Sequence, residues 1–250
     1  MPSPSPDLIP ALAALGFKTS PEALGALLTH STKSRLSPLE TLEQLLALER
    51  REREHRNLQT RTRFAALGKF EPLDRFDWNH PRKINRALYE QLLTFDFLKT
   101  GHNVLFRGPS GVGKTTLAQN LGFLALQKGA TVRFATLGHA LVDMDKHDSP
   151  SGFERKLWQY VKPTLLIVDE LGYLPGDSRG GDILYNVISR RHQERSTIIT
   201  TNLPFKQWGA IFPGAACVGA LVDRFTENCH VIDIEGDSWR QKHAGTSKHE

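Results

Sequence analysis

Gly108-Pro109-Ser110-Gly111-Val112-Gly113-Lys114-Thr115 decides the reading of this chain. Its spacing is that of a complete P-loop, G-x-x-x-x-G-K-[ST]. An apolar run, Val104-Leu105-Phe106, precedes it, and a helical pattern with Leu117, Leu121 and Leu124 on one face follows. Phosphate binding needs that context. A buried strand aims the chain at the loop, glycines let successive backbone N–H groups turn inward, and the helix N-terminus adds positive dipole. The pattern implies that the whole run, extended by Thr116, binds ATP. Lys114 would reach the β and γ phosphates, and the Thr115 hydroxyl would ligand Mg²⁺. The competing reading is a glycine-rich turn that matches by chance, and the strand before and helix after argue against it.

Working outward, Leu165-Leu166-Ile167-Val168-Asp169-Glu170 places two carboxylates at the end of a buried strand. Ligands bind at that end in open α/β sheets. Adjacent acids at a strand tip are common surface charges, but behind a P-loop they acquire roles. Asp169 would join Thr115 at the Mg²⁺, and Glu170 would orient or deprotonate an attacking water. A small-molecule kinase transfers phosphate to a bound hydroxyl and has no use for Glu170, so the pair favours hydrolysis. Ser196-Thr197-Ile198-Ile199-Thr200-Thr201-Asn202 is a further buried strand. Asn202 is placed to hold the water or the γ-phosphate, and is equally readable as a turn residue before Leu203-Pro204. In Leu221-Val222-Asp223-Arg224-Phe225, Arg224 is either an arginine finger inserted into a neighbour's site or half of a surface Arg–Asp pair. Arg190 and Arg191 compete for the finger role, and Arg240 places another arginine near the end of the fold.

Strand-like runs near 103–107, 131–135, 164–169, 196–202 and 230–234 alternate with helical patterns, including 153–161, 180–193 and one from about Arg82 to Leu98. Such alternation predicts an α/β fold, a parallel five-stranded sheet flanked by helices. Before it, Ser20-Pro21-Glu22 and Ser37-Pro38-Leu39-Glu40 are helix starts, the second a capping box. The second helix carries Leu39, Leu42, Leu45 and Leu46 as its apolar stripe. The expected division is an N-terminal helical domain over 1–67, with 1–7 disordered, a linker over 68–81, the core over 82–240 and a loose tail over 241–250. No run reaches the ~18 apolar residues of a membrane span. The N-terminus lacks the basic and apolar regions of a signal peptide. Cys217 and Cys229 have no metal-ligand spacing and read as free thiols. These features point to a reduced cytoplasmic protein.

The net charge is +5, but it is unevenly spread. From Arg50 to Arg86 eleven Lys/Arg face only Glu52, Glu54, Glu71, Asp74 and Asp77. A local basic stripe suggests an anionic partner, with nucleic acid first. Arg50, Arg51, Arg53, Arg56, Arg61 and Arg63 are the candidate phosphate contacts. A solvated helix face with i, i+4 pairs such as Glu49–Arg53 and Glu52–Arg56 is the equal alternative. Lys146, Arg155 and Lys156, with His147 in the segment 139–158, are further candidate DNA contacts that would line the inner surface of an oligomer. No base-reading constellation is visible, so contacts would be to the backbone. Phe76 and Trp78 either flank an adenine or pack the linker onto the core.

The assembled motifs resemble those of IstB-like AAA+ ATPases, the helpers of insertion-sequence transposition related to the DnaC helicase loader and DnaA. The resemblance rests on Gly108–Thr115, Val168-Asp169-Glu170-Leu171-Gly172-Tyr173-Leu174, Thr200-Thr201-Asn202-Leu203-Pro204-Phe205 with Trp208, Asp223-Arg224-Phe225 and Gly236-Asp237-Ser238-Trp239-Arg240. It spans roughly residues 35–242, and Phe76-Asp77-Trp78 resembles the family's approach to the core. It implies a P-loop AAA+ core with an extra strand between the P-loop strand and the Asp169-Glu170 strand, and no large C-terminal lid. By the same resemblance Asn202 would be sensor 1, Arg224 the trans-acting finger and Arg240 sensor 2. The implied activity is ATP hydrolysis with Mg²⁺, stimulated as a homo-oligomer assembles on duplex DNA in the ATP state. The implied partner is a cognate transposase. A DnaC-type helicase loader shares the core, and a DNA adaptor that holds ATP only structurally is a further reading.

Overall fold

The structure is a computed structural model that describes residues 8–146, 149–172 and 178–243. The chain divides into two compact units that meet between Thr60 and Arg61. The first holds α1 (Leu8–Ala14), α2 (Pro21–Lys33) and most of α3 (Pro38–Ala65). Its helix starts follow from the sequence. The Ser20 hydroxyl accepts from the Ala23 N–H, with Pro21 at the first helical position. Ser37 and Glu40 close the expected capping box, at 3.2 Å for Glu40 N to Ser37 Oγ and 2.7 Å for Ser37 N to Glu40 Oε2. Leu39, Leu42 and Leu46 of the expected apolar stripe are exposed.

One buried carboxylate ties this unit together. Glu49 of α3 accepts from Lys18 N, Thr19 N and the Thr19 hydroxyl at 2.8–3.0 Å, and from Arg53 Nε at 2.5 Å. Burial pushes its pKa up, but the hydrogen bonds from Arg53, Lys18 and Thr19 outweigh burial and hold it at about 2. The folded value lies below the ordinary 4.5, so this stabilisation is complete above pH 4.5 and is lost as the pH falls toward 2. Glu49→Ala is expected to cost about 2–4 kcal/mol, by leaving four donors short of their acceptor. Urea unfolding followed by helical circular dichroism checks this at pH 7. At pH 3 the difference from the wild type should shrink.

The second unit is built on a sheet. Its elements run β1 (Lys83–Ile84), α4 (Arg86–Leu92), α5 (Asp96–Thr100), β2 (Asn103–Arg107), α6 (Lys114–Gln127), β3 (Val132–Thr136), α7 (Leu137–Asp145), α8 (Pro150–Val161), β4 (Leu165–Leu171), α9 (Ser178–Arg191), β5 (Ser196–Thr201), α10 (Trp208–Ile211), α11 (Val218–Thr226), β6 (Cys229–Glu235) and α12 (Trp239–His243). The sheet order is β1-β6-β2-β5-β4-β3. Five strands are parallel, as expected, and the two-residue β1 adds an antiparallel edge against β6. β5 lies between the P-loop strand β2 and the acid-bearing strand β4, which is the inserted strand that the resemblance implied.

The strand side chains alternate between two helical layers. Leu166, Val168 and Ile199 join the core formed with α7–α11. Ile167 faces α6, where a Cβ on Gly122 would lie 2.8 Å from its Cδ1. The helix expected from Arg82 to Leu98 is not continuous. Its start forms β1, Asn85 then caps α4 by accepting from Leu88 N at 3.0 Å, and Phe95 takes a left-handed φ of 63° between α4 and α5. The loose tail expected from residue 241 also needs correction, since Gln241–His243 belong to α12. Residues 1–7 and 244–250, which carry the other expectations of looseness, lie outside the described residues.

Candidate nucleotide-binding site

A cleft of about 450 Å³ opens at the C-terminal ends of β4 and β5, beside the P-loop. Ser110–Thr116 form its floor, with Glu170 and Thr200 on one side. Phe76 and His80 wall it from the segment before the sheet, and Trp239 and Arg240 wall it from α12. The loop takes left-handed backbone at Gly111 (φ 78°) and Gly113 (φ 91°). Neither position has room for a side chain. A Cβ on Gly113 would stand 2.5 Å from Phe76 Cε2, and one on Gly111 would stand 2.2 Å from Ser238 Oγ. The Trp239 N–H donates to the Gly111 carbonyl at 3.0 Å, so the C-terminal segment pins the loop from outside.

Lys114 opens α6 and is buried, with its Nζ donating to the carbonyls of Gly108 at 2.8 Å and Pro109 at 2.6 Å. Burial pushes its pKa down, Asp169 and Glu170 pull it back up, and Arg240 pushes it down further. Four charged groups thus converge on one loop. The Thr115 hydroxyl lies 2.9 and 3.1 Å from the two oxygens of the buried Asp169 carboxylate. A hydroxyl and a carboxylate this close, at the start of a helix, are the oxygen donors that Mg²⁺ takes beside bound phosphates. The residues present therefore fit a magnesium nucleotide.

Glu170 reaches the cleft through a β-bulge. Val168 pairs with Ile199 and Leu171 with Thr201, so three steps along β4 match two along β5. Glu170 sits in the extra step with φ at 62°. Strict alternation would send adjacent acids to opposite faces of the sheet. The bulge resets the phase, so Leu171 rejoins the core of Leu166 and Val168 while Asp169 and Glu170 both serve the cleft side. A left-handed glutamate is costly, and such strain concentrates at functional sites.

The remaining expected residues are distributed as follows. Arg240 lines the cleft. Asn202 is exposed and lines a neighbouring cleft with Arg107, Gly108 and Pro109. Arg224 lies outside both, donating to the Tyr185 hydroxyl at 2.7 Å and to Ser189 Oγ, with its guanidinium 4.9 Å from the Tyr185 ring centroid. Arg191 is fully buried and donates to the carbonyls of Tyr160, Val161, Pro163 and Ser196, so it is a structural clamp unable to reach a neighbour. Arg190 pairs with Glu154. Phe76 lines the cleft, whereas Trp78 packs between Phe76 and Tyr89 under Arg86.

Among the basic candidates, Arg50, Arg51, Arg53, Arg56, Arg63, Lys146 and Arg155 are exposed, and Arg61 and Lys156 are partly buried. Arg53 holds Glu49 and the Gly16 carbonyl, and Arg56 donates to the Lys18 carbonyl, not to Glu52 as an i, i+4 pair. Arg61 reaches the Leu126 carbonyl at 3.4 Å, and Lys156 pairs with Asp143 at 2.7 Å. His147, and Tyr173 and Leu174 of the acid-strand motif, lie outside the described residues. The sequence reading passed over Thr200, His80 and Trp239 as cleft residues. Only Thr200 left a signal, because period-2 alternation in β5 puts it on the face opposite the core residue Ile199.

Comparison with known proteins agrees with this architecture. The family model for IstB-like ATP-binding proteins matches residues 10–247. A protein of Bacillus thuringiensis subsp. berliner, named for ATP binding in insertion sequence IS232, is 33% identical over 231 residues, which is 92% of each chain. Its counterpart named for insertion sequence IS21 of Pseudomonas aeruginosa is 32% identical over 217 residues, 87% of this chain and 82% of that one. Among solved structures, AMPPCP-bound DnaA from Aquifex aeolicus aligns with a TM-score of 0.56 at 22% identity, over 68% of this chain and 52% of that one. The DnaC helicase loader aligns with a TM-score of 0.51 at 20% identity, over 69% of this chain and 99% of that one.

Proposed function

The chain belongs to the family of IstB-like ATP-binding proteins, and on that premise we propose that it is a DNA-stimulated ATPase that assembles on target duplex and recruits a transposase. One observation carries the hydrolytic part. The Thr115–Asp169 pair and the re-aimed Glu170 share a cleft with Lys114 and Arg240. In this reading Lys114, Arg240 and the loop amides hold the phosphates, and Thr115 and Asp169 hold Mg²⁺. Bound there, the ion supplies Lewis-acid stabilisation of charge on the phosphates. Glu170 takes a proton from the attacking water. Asn202, beside Gly108 and Pro109, monitors the γ-phosphate side, and Arg224 serves a neighbouring copy.

Exposed Arg50, Arg51 and Arg63 are the basic side chains best available to DNA phosphates. The helicase-loader reading shares the cleft and differs in partner. Insertion-sequence relatives matched along most of their length favour transposition. Among the described residues no helix is long and apolar enough to cross a membrane.

Light scattering tests the assembly. The protein should form large particles only with duplex DNA and a slowly hydrolysed ATP analogue together, and should remain small with ADP or without DNA. A monomer under all four conditions refutes assembly on DNA.

A further inference from the structure

Among the described residues, the Thr200 hydroxyl bonds to both acids of the cleft. Its side chain is buried at 1% exposure in β5. Its oxygen accepts the Glu170 N–H at 3.0 Å, and its proton goes to Asp169 Oδ1. A hydroxyl offers one proton and two lone pairs, so these two bonds use its donor and one acceptor site. Both bonds matter for the bulge. An extra residue in a bulge has no ladder partner of its own, and Thr200 supplies one for the N–H of the strained Glu170. Asp169 is meanwhile held from two sides, by Thr115 of α6 and by Thr200 of β5.

We propose that Thr200 is a positioning residue for hydrolysis. Its hydroxyl fixes the Asp169 carboxylate toward Thr115 and locks the left-handed backbone that turns Glu170 into the cleft. The role rests on the chain being an ATPase. Thr200→Val keeps the shape but removes both bonds at one atom, whereas Thr200→Ser keeps the hydroxyl and loses only a methyl.

The full-length wild type and both variants are compared in DNA-stimulated ATP hydrolysis, in affinity for a fluorescent ATP analogue with Mg²⁺ and with EDTA, and in thermal unfolding. For Thr200→Val, kcat should fall about ten- to a hundredfold with KM within about twofold, as expected when a hydrogen bond that shapes only the reacting geometry is lost. The analogue affinity should hold within about twofold both with Mg²⁺ and with EDTA, as it must if only the reacting geometry is disturbed. Thr200→Ser should recover kcat to within about threefold of the wild type. Thr200→Cys, with a weakly bonding thiol, replaces the valine variant if that one does not fold.

Wild-type kcat in Thr200→Val overturns the role, and so does a serine variant as impaired as valine, since volume would then be what matters. A wild type that binds the analogue but never turns over removes the ATPase reading itself, and the positioning role with it. Turnover in the wild type beside an unaffected Thr200→Val removes only the latter.

Discussion

Glu170→Gln is expected to bind ATP as the wild type does and to hydrolyse it about 10²–10⁴-fold more slowly. The amide keeps the size of the side chain and its place in the bulge, and it loses only basicity. Binding should survive because phosphate contacts belong to other groups. The buried Lys114 and the loop backbone at Gly111 and Gly113 do not depend on the Glu170 charge for their placement. The strained backbone at φ 62° should also survive, since the Glu170 N–H still reaches Thr200. Single-turnover hydrolysis beside fluorescent-nucleotide titration separates the two quantities. A second consequence follows for assembly. If hydrolysis resets particles formed on DNA, those formed by Glu170→Gln with ATP should persist where wild-type particles decay. Glutamine turnover near the wild-type rate would leave Glu170 without a role as base and would return the two acids to simple charge balance.

Much of the cleft was legible because its chemistry is local in sequence. Strand, glycine loop and helix occur within Asn103–Gln127, and the acids close an apolar run at Leu165–Val168. The parts that escaped depend on distant partners. Glutamate has no preference for left-handed backbone, so the bulge at Glu170 comes from how β4 meets β5 and from the Thr200 hydroxyl across the pair. Gly113 looked like a phosphate-binding glycine, but its second constraint is Phe76, thirty-seven positions earlier, pressed against it. Arg191 read as a candidate finger because a basic pair ending a helix is normally exposed. Burial beneath α8 carbonyls depends on packing that periodicity alone does not reveal. The break at Phe95 likewise contradicts the helical pattern over 82–98, and an aromatic at φ 63° is a conformation that no propensity favours. The basic stripe divided for a similar reason. All four of Arg50, Arg51, Arg53 and Arg56 are exposed, but Arg53 and Arg56 are committed to the Gly16 and Lys18 carbonyls, in a loop some forty residues away in sequence.

Arg224→Ala is expected to leave nucleotide affinity within about twofold of the wild type, while hydrolysis in DNA-bound assemblies falls on the order of 10³-fold. The asymmetry follows from its position. Arg224 lines neither the cleft of its own chain nor the one beside it, so truncation removes no contact to a nucleotide bound in that chain. Its partners among the described residues are neutral, the hydroxyls of Tyr185 and Ser189 on α9 and the Tyr185 ring. A guanidinium held by neutral groups keeps its charge available for an incoming anion, whereas one paired with a carboxylate, like Arg190 with Glu154, does not. Truncation will also loosen α11 on α9, so thermal unfolding must accompany the kinetics. Mixing resolves the two contributions. Arg224→Ala retains Glu170, and Glu170→Gln retains Arg224, so in a head-to-tail assembly of the two inactive proteins about a quarter of the interfaces at equal concentrations contain both groups. Activity that reappears on mixing, with neither variant active alone, requires that Arg224 act across subunits. Activity that stays absent at every ratio, from variants that still co-assemble on DNA, would confine Arg224 to holding α11 against α9.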